Sequence, residues 1–254
     1  MKTVILCGGI GYRLKEETEF KPKPMVEIGG IPILWHIMKI YSHWGFSDFI
    51  IALGYKGNLI KDYFINKKYY DGDFTLSTKQ HRIARHKEHF PENFKITFVD
   101  TGLESATGER VRRIKKYITG NRFMLTYGDG LSDLNIKDLV KFHKVNGRMC
   151  TVTAVFPMLK YGGFDIGAGN AAIKFEKKAR VRQPINGGFM VMEKSVLDLV
   201  RPNSMIEDVF DVLAMKKQLT VYKHDVFFHS MDTYQDVSDL NMLWETDPAW
   251  KIWR

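Results

Sequence analysis

Cysteine is nearly missing: the 254 residues hold only Cys7 and Cys150. A disulfide framework or a cysteine-built zinc site needs more, so both are excluded and each thiol is expected to act as a small buried hydrophobe. Long apolar runs are lacking too. No stretch approaches the roughly 20 residues that cross a bilayer as a helix. The opening Met1-Lys2-Thr3-Val4-Ile5-Leu6-Cys7-Gly8-Gly9 is too short and too glycine-rich for a signal peptide. A cytoplasmic protein without a membrane partner is expected. Repeats, linkers and low-complexity tracts are also missing, and 44% hydrophobic against 26% charged residues suits a full core rather than disorder.

Acidic residues are the minority, 29 against 38 basic, for a net charge of +9. Such a field favours anionic partners. The basic residues are scattered through Lys21-Pro22-Lys23, Arg110 to Arg113 and Lys174 to Arg182, with no zinc-finger, RNP-type or basic-zipper signature. Phosphorylated small molecules need the same positive field as nucleic acid, and composition does not choose between them.

Strand-like and helix-like segments alternate in the first half. Thr3 to Cys7, Phe49 to Leu53, Lys95 to Val99 and Phe123 to Tyr127 are short apolar runs suited to buried parallel strands. Between them, Ile33 to Trp44, Ile60 to Phe64 and Val111 to Ile118 carry helical spacing. That rhythm predicts an α/β fold with a doubly wound, mostly parallel, Rossmann-like sheet. From about residue 148 the rhythm changes. Cys150 to Phe156, Ala171 to Phe175, Gly188 to Met192 and Leu219 to His224 read as strands, and Ser195 to Val200, Ile206 to Lys216 and Leu240 to Trp253 as helices. We read one domain over 1–254, its halves 1–147 and 148–254 differing in rhythm. The charged stretch from Asn66 to Asn93, including His86, Lys87 and His89, reads as an arm outside the core.

Open parallel sheets bind ligands at the carboxyl ends of their strands. The first strand ends in Gly8-Gly9-Ile10-Gly11-Tyr12-Arg13, where closely spaced glycines let backbone N–H groups converge on an anion and Arg13 adds a planar cation. It is neither a Walker loop nor a dinucleotide fingerprint. Lys23 stands between two prolines that stiffen its backbone. Asp129, between glycines after the fourth strand, and Asp232 far downstream supply two carboxylates suited to magnesium. Each aspartate alone is more often a turn former.

Gly8 to Leu14, Lys21-Pro22-Lys23-Pro24-Met25-Val26 and Gly29-Gly30-Ile31-Pro32-Ile33-Leu34 together resemble the amino-terminal signature of the sugar-phosphate nucleotidyltransferases. Trp35 to Lys39, Asp100-Thr101-Gly102, Thr126 to Gly130, Asn186 to Phe189, Met231-Asp232-Thr233 and Pro248 to Lys251 resemble its glucose 1-phosphate cytidylyltransferase branch. The resemblance implies transfer from CTP to a phosphorylated acceptor with release of pyrophosphate, magnesium as cofactor and a homo-oligomeric state, with 1–147 mainly binding nucleotide and 148–254 forming a smaller acceptor-binding and oligomerisation part. Because the phosphate-binding residues converge on strand ends rather than along one face, nucleic acid is not an expected partner. It further implies Arg13, Lys23 and Asp129 as catalytic. The nucleotide would meet Leu6, Gly8, Gly9, Gly11, Thr107 and Arg110 as well. Tyr127, Gly162, Glu176, Lys177, Asn186 and Gly187 would meet the acceptor, and Asp129 with Asp232 the magnesium. No histidine is required; His36 reads as a core residue.

Departures from the family pattern gather in the acceptor half: Lys178 for proline, Lys160 for arginine, Phe228 for tryptophan, and the segment Met205 to Val209. Tyr12 replaces a threonine in the glycine-rich loop, where a phenol could crowd the nucleotide. Glucose 1-phosphate is the default acceptor. Another sugar phosphate or a phosphorylated amino acid is the alternative, and a non-catalytic nucleotide-sensing or scaffold subunit is the reading of a different class.

Overall fold

Alternate residues of the central strands face opposite ways, and each set meets its own layer of helices. In β1 (Thr3–Cys7) and β2 (Asp48–Leu53), Ile5, Cys7, Phe49, Ile51 and Leu53 join one core, while Val4, Leu6, Ile50 and Ala52 join the other. The computed structural model describes residues 1–70, 72–86, 92–159 and 161–253. Lys87, His89 and Lys160 lie outside the described residues.

The remaining strands of the main sheet are β3 (Lys95–Asp100), β4 (Arg122–Tyr127), β6 (Cys150–Val155), β9 (Ile185–Glu193) and β10 (Leu219–His224). Their order is β10-β6-β9-β4-β1-β2-β3. Every neighbouring pair is parallel except those of β9, which runs antiparallel between β6 and β4. Strands from both halves of the chain thus share one doubly wound, mostly parallel sheet. The small strands β5 (Gly130–Ser132) and β11 (Phe228–Ser230) pair antiparallel beside it, and β7 (Gly163–Ile166) pairs with β8 (Ala172–Glu176) as a separate hairpin.

On the face shared by Ile5 and Phe49 lie α1 (Ile33–His43), α2 (Gly57–Tyr70), α4 (Ile136–Asn146) and α6 (Tyr234–Thr246). The other face carries α3 (Thr107–Arg113) and α5 (Asp208–Met215). Both cysteines are buried. Burial raises both thiols, that of Cys150 to about 12, so each stays protonated and unreactive.

Several boundaries differ from expectation. The helix expected over Val111 to Ile118 starts earlier, at Thr107, and gives way to a 3₁₀ turn at Lys115–Tyr117. Ser195 to Val200 is largely a 3₁₀ turn, Lys194–Asp198. The tail helix begins at Tyr234, where Thr233 and Asp236 form a capping box, and ends at Thr246 before Pro248. Trp250 and Trp253 are non-helical. Trp250 is fully buried and packs with Trp244, Phe227 and His36. His36 is a core residue, as its place on α1 suggests. Its Nε2 donates to the Ile28 carbonyl (2.9 Å), Nδ1 accepts from Trp250 Nε1 (3.4 Å), and burial lowers its pKa to about 4. In the charged arm, α2 extends to Tyr70 and Phe74–Ser77 pairs with Arg82–Arg85 as a hairpin whose Leu76 and Ile83 are exposed.

Candidate active site

The carboxyl ends of β1 and β4 lie side by side, and the residues that follow them face each other. Lys23 Nζ sits between two carboxylates, 2.6 Å from Asp129 Oδ2 and 2.9 Å from Asp232 Oδ1. Arg13 reaches the same Asp232 oxygen at 3.1 Å, and Ser230 donates to Oδ2 at 3.1 Å. Asp129 follows β4 and Asp232 follows β11, so the pairing of β11 with β5 brings them together. Burial alone would push the Asp232 carboxyl up. The Lys23 hydrogen bond and charge, with help from Arg13 and Ser230, outweigh it and hold the group below its ordinary value. Burial likewise disfavours the Lys23 ammonium, yet Asp129 and Asp232 raise its pKa above normal. The cluster is one shared ionic unit.

Two cavities open on this unit. One, of about 330 Å³, is floored by Leu6, Gly8, Gly9 and Gly11 and walled by Lys23, Asp129, Thr107 and Arg110. The other, of about 290 Å³, is lined by Arg13, Asn186, Gly187, Phe228 and Asp232. Tyr127 and Asp129 belong to both. The first offers backbone at a strand end, the second side-chain polarity, and the cation pair stands at their junction.

Arg110 lines the first cavity, but its guanidinium is already committed. Nη1 donates to the Leu53 carbonyl (3.1 Å), Thr101 Oγ1 (2.8 Å) and the Gly102 carbonyl (2.7 Å). Nη2 donates to the carbonyls of Gly8 (2.9 Å) and Leu103 (3.0 Å). It ties three strand-end loops together. Gly8 is glycine for this reason, because a Cβ there would fall 2.1 Å from Nη1. The geometry makes Arg110 a brace for the nucleotide-side loops.

Of the acceptor candidates, Tyr127, Asn186 and Gly187 line the second cavity. Gly162, Glu176 and Lys177 line neither. Among the described residues the β7–β8 hairpin forms a two-stranded sheet apart from the main one; Lys177 and Lys178 beside it are exposed, and Glu176 pairs with Lys174. Tyr12 is 77% exposed and lines neither cavity, so its phenol does not crowd the glycine-rich loop. Two of the departures do reach the site: Met205 lines the first cavity and Phe228 the second.

Sequence reasoning passed over Asp236. Its Oδ2 accepts from the Asp232 N–H (3.0 Å), the Thr233 N–H (2.7 Å) and Thr233 Oγ1 (2.8 Å), which fixes the backbone bearing Asp232. The Thr-x-x-Asp spacing after Asp232 was the available signal.

The nucleotidyl transferase family matches residues 2–250. The chain is 45% identical to a glucose-1-phosphate cytidylyltransferase of Salmonella typhimurium, with all of both chains covered. It is 28% identical to a mannose-1-phosphate guanyltransferase of Kluyveromyces lactis over 98% of this chain and 67% of that one. Among solved structures, HddC from Yersinia pseudotuberculosis superposes with a TM-score of 0.69 at 22% identity, covering 96% of this chain and 99% of the other, which supports the fold. The chain belongs to the nucleotidyl transferase family.

Proposed function

We propose that this enzyme transfers the cytidylyl group of CTP to glucose 1-phosphate, giving CDP-glucose and pyrophosphate. The observation that carries the reading is Lys23 held between Asp129 and Asp232 where the two cavities meet. The full-length relative at 45% identity supplies the choice of CTP and glucose 1-phosphate.

The chemistry asks little covalent work of the protein. An oxygen of the sugar phosphate attacks the α-phosphorus; the new P–O bond forms as the α–β anhydride bond breaks, and pyrophosphate leaves with the electron pair. The attacking phosphate is already ionised near neutral pH, so no general base is needed and alignment with charge neutralisation suffices. Gly8, Gly9 and Gly11 offer the triphosphate an unobstructed backbone floor. Lys23 and Arg13 neutralise charge on the transferring and departing phosphates, and Asn186 faces the sugar phosphate.

Asp129 and Asp232 suit magnesium. They already share one cation, the Lys23 ammonium, and magnesium commonly takes one or two carboxylates with phosphate oxygens. Among the described residues no group of three or more metal-ligating side chains converges, so phosphate oxygens would complete the coordination. Bound there, magnesium would offset the charge that builds during transfer. The exposed apolar face of the hairpin, Phe164, Ile166 and Ile173, suits the homo-oligomer expected of the family, and sedimentation at micromolar concentration tests it.

The decisive assay is pyrophosphate release with each nucleoside triphosphate against glucose 1-phosphate, other hexose 1-phosphates and an amino-acid phosphate, with magnesium and with chelator. CTP with glucose 1-phosphate should be fastest and should need the metal. Silence with every hexose 1-phosphate, alongside intact CTP binding, overturns the acceptor assignment.

A further inference from the structure

Glu207 immediately precedes α5, and its side chain meets Tyr127, which lines both cavities, and Thr107, which lines the first. The Tyr127 phenol donates to Glu207 Oε1. Its ring lies over Gly188, whose φ is +78° and where a Cβ would come within 2.6 Å of Tyr127 Cδ2. Glu207 Oε2 accepts more loosely from Thr107 Oγ1 at 3.4 Å, and the Thr107 oxygen accepts from the Ile206 N–H at 2.9 Å. On the other side, Asn186 Oδ1 is occupied by the Gly188 N–H at 2.8 Å, and Asn186 lines the second cavity beside Tyr127.

The bond to Glu207 places the proton of the phenol. Its oxygen keeps lone pairs with which to accept, on a residue that borders both cavities. We propose that Glu207 is a positioning residue for acceptor recognition: it fixes Tyr127 as the partition and turns the phenol oxygen into a hydrogen-bond acceptor for a hydroxyl of the sugar. The inference rests on the cytidylyl transfer to a sugar phosphate proposed above. A residue that merely started α5 would affect folding and leave the balance between the two substrates alone. A residue that sets the partition shifts recognition of one substrate over the other.

The test is steady-state kinetics of E207A, E207D, E207Q and Y127F, and of the double variant Y127F/E207A, each checked for folding by circular dichroism. Loss of a hydrogen bond to a charged group predicts that E207A raises the KM for glucose 1-phosphate by about tenfold or more. The KM for CTP should stay within about threefold, because Thr107 keeps its bond from Ile206. E207D, which retains charge but loses reach, should show the same split and serves if E207A does not fold. E207Q keeps an oxygen for the phenol proton and should restore most of the loss. The double variant should be no worse than Y127F alone. Equal rises in both constants, or additive losses in the double variant, overturn the inference. The two failures look different: an unmutated enzyme silent with sugar 1-phosphates overturns the proposed function and this inference with it, whereas an active one indifferent to E207A and E207D overturns only the role of Glu207.

Discussion

The backbone N–H of Met231 donates to the carbonyl of Asp129 across 2.8 Å, extending the ladder that pairs β11 with β5. Through that bond the main chain itself places Asp232 beside Asp129, and Lys23 finds both carboxylates already in position.

Replacing either carboxylate should leave the fold and remove the chemistry. Asp129→Asn and Asp232→Asn should each lower pyrophosphate release at least roughly a hundredfold, as loss of a preorganised charge does. Calorimetry in chelator should show CTP binding retained. Normal rates in both variants would falsify the two-carboxylate assignment.

Lys23→Ala and Arg13→Ala should each cost roughly 2–4 kcal/mol of transition-state stabilisation, read from kcat/KM. Thermal unfolding should separate them. Lys23 is largely enclosed between its partners, at 12% side-chain exposure, and its loss leaves two carboxylates facing one another; Arg13 is 77% exposed and should barely affect unfolding. Wild-type kinetics in Lys23→Ala would make the proline-flanked lysine a turn and no more.

Arg110 should behave as a brace. Arg110→Met strands carbonyls of Leu53, Gly8, Gly102 and Leu103 that now share one buried guanidinium, so urea unfolding should show a loss of more than about 3 kcal/mol. A variant of unchanged stability that only loses CTP affinity would show instead that the guanidinium serves the nucleotide directly.

Buried histidines set an acid limit on stability. Burial lowers His36 to about 4 and also lowers His143, so between the ordinary histidine value and those folded values the unfolded chain binds more protons than the native one. Stability should therefore decline as pH falls from about 6.5 towards 4. His36→Gln should flatten that decline, measured as unfolding midpoint against pH. An equally steep profile in the variant would place the acid sensitivity elsewhere.

Local signals made the sheet legible. β1, β2, β3 and β4 are short runs with mostly apolar centres; β3 ends in Asp100, and the loops after β1 and β4 carry Gly8 and Asp129. Helix α4 went unread even though Asn135 caps it and Gly147 stops it, because its charged face dilutes the apolar positions Ile136, Leu139 and Val140. The start of α3 was hidden differently, since Gly108, Glu109 and Arg110 are buried against Ser204, Asn203 and Gly8, contacts that no helical pattern announces. Lys23, Asp129 and Asp232 stand out through their prolines, glycines and strand ends. Glu207 could not, because its partners Tyr127 and Thr107 come from two other elements and meet it only once the chain is folded.

Trp250 closes the core begun by Ile5, Ile33 and Tyr41, and that has a consequence for biosynthesis. A ribosome adding roughly 5–20 residues each second has completed α1 on the order of ten seconds or more before it reaches Trp250. Throughout that interval the nascent nucleotide-side half exposes the surface that this indole will cover, and β4 lacks β9 at its edge. The first half cannot finish on the ribosome ahead of the second: its core face stays open until Trp250 has been made.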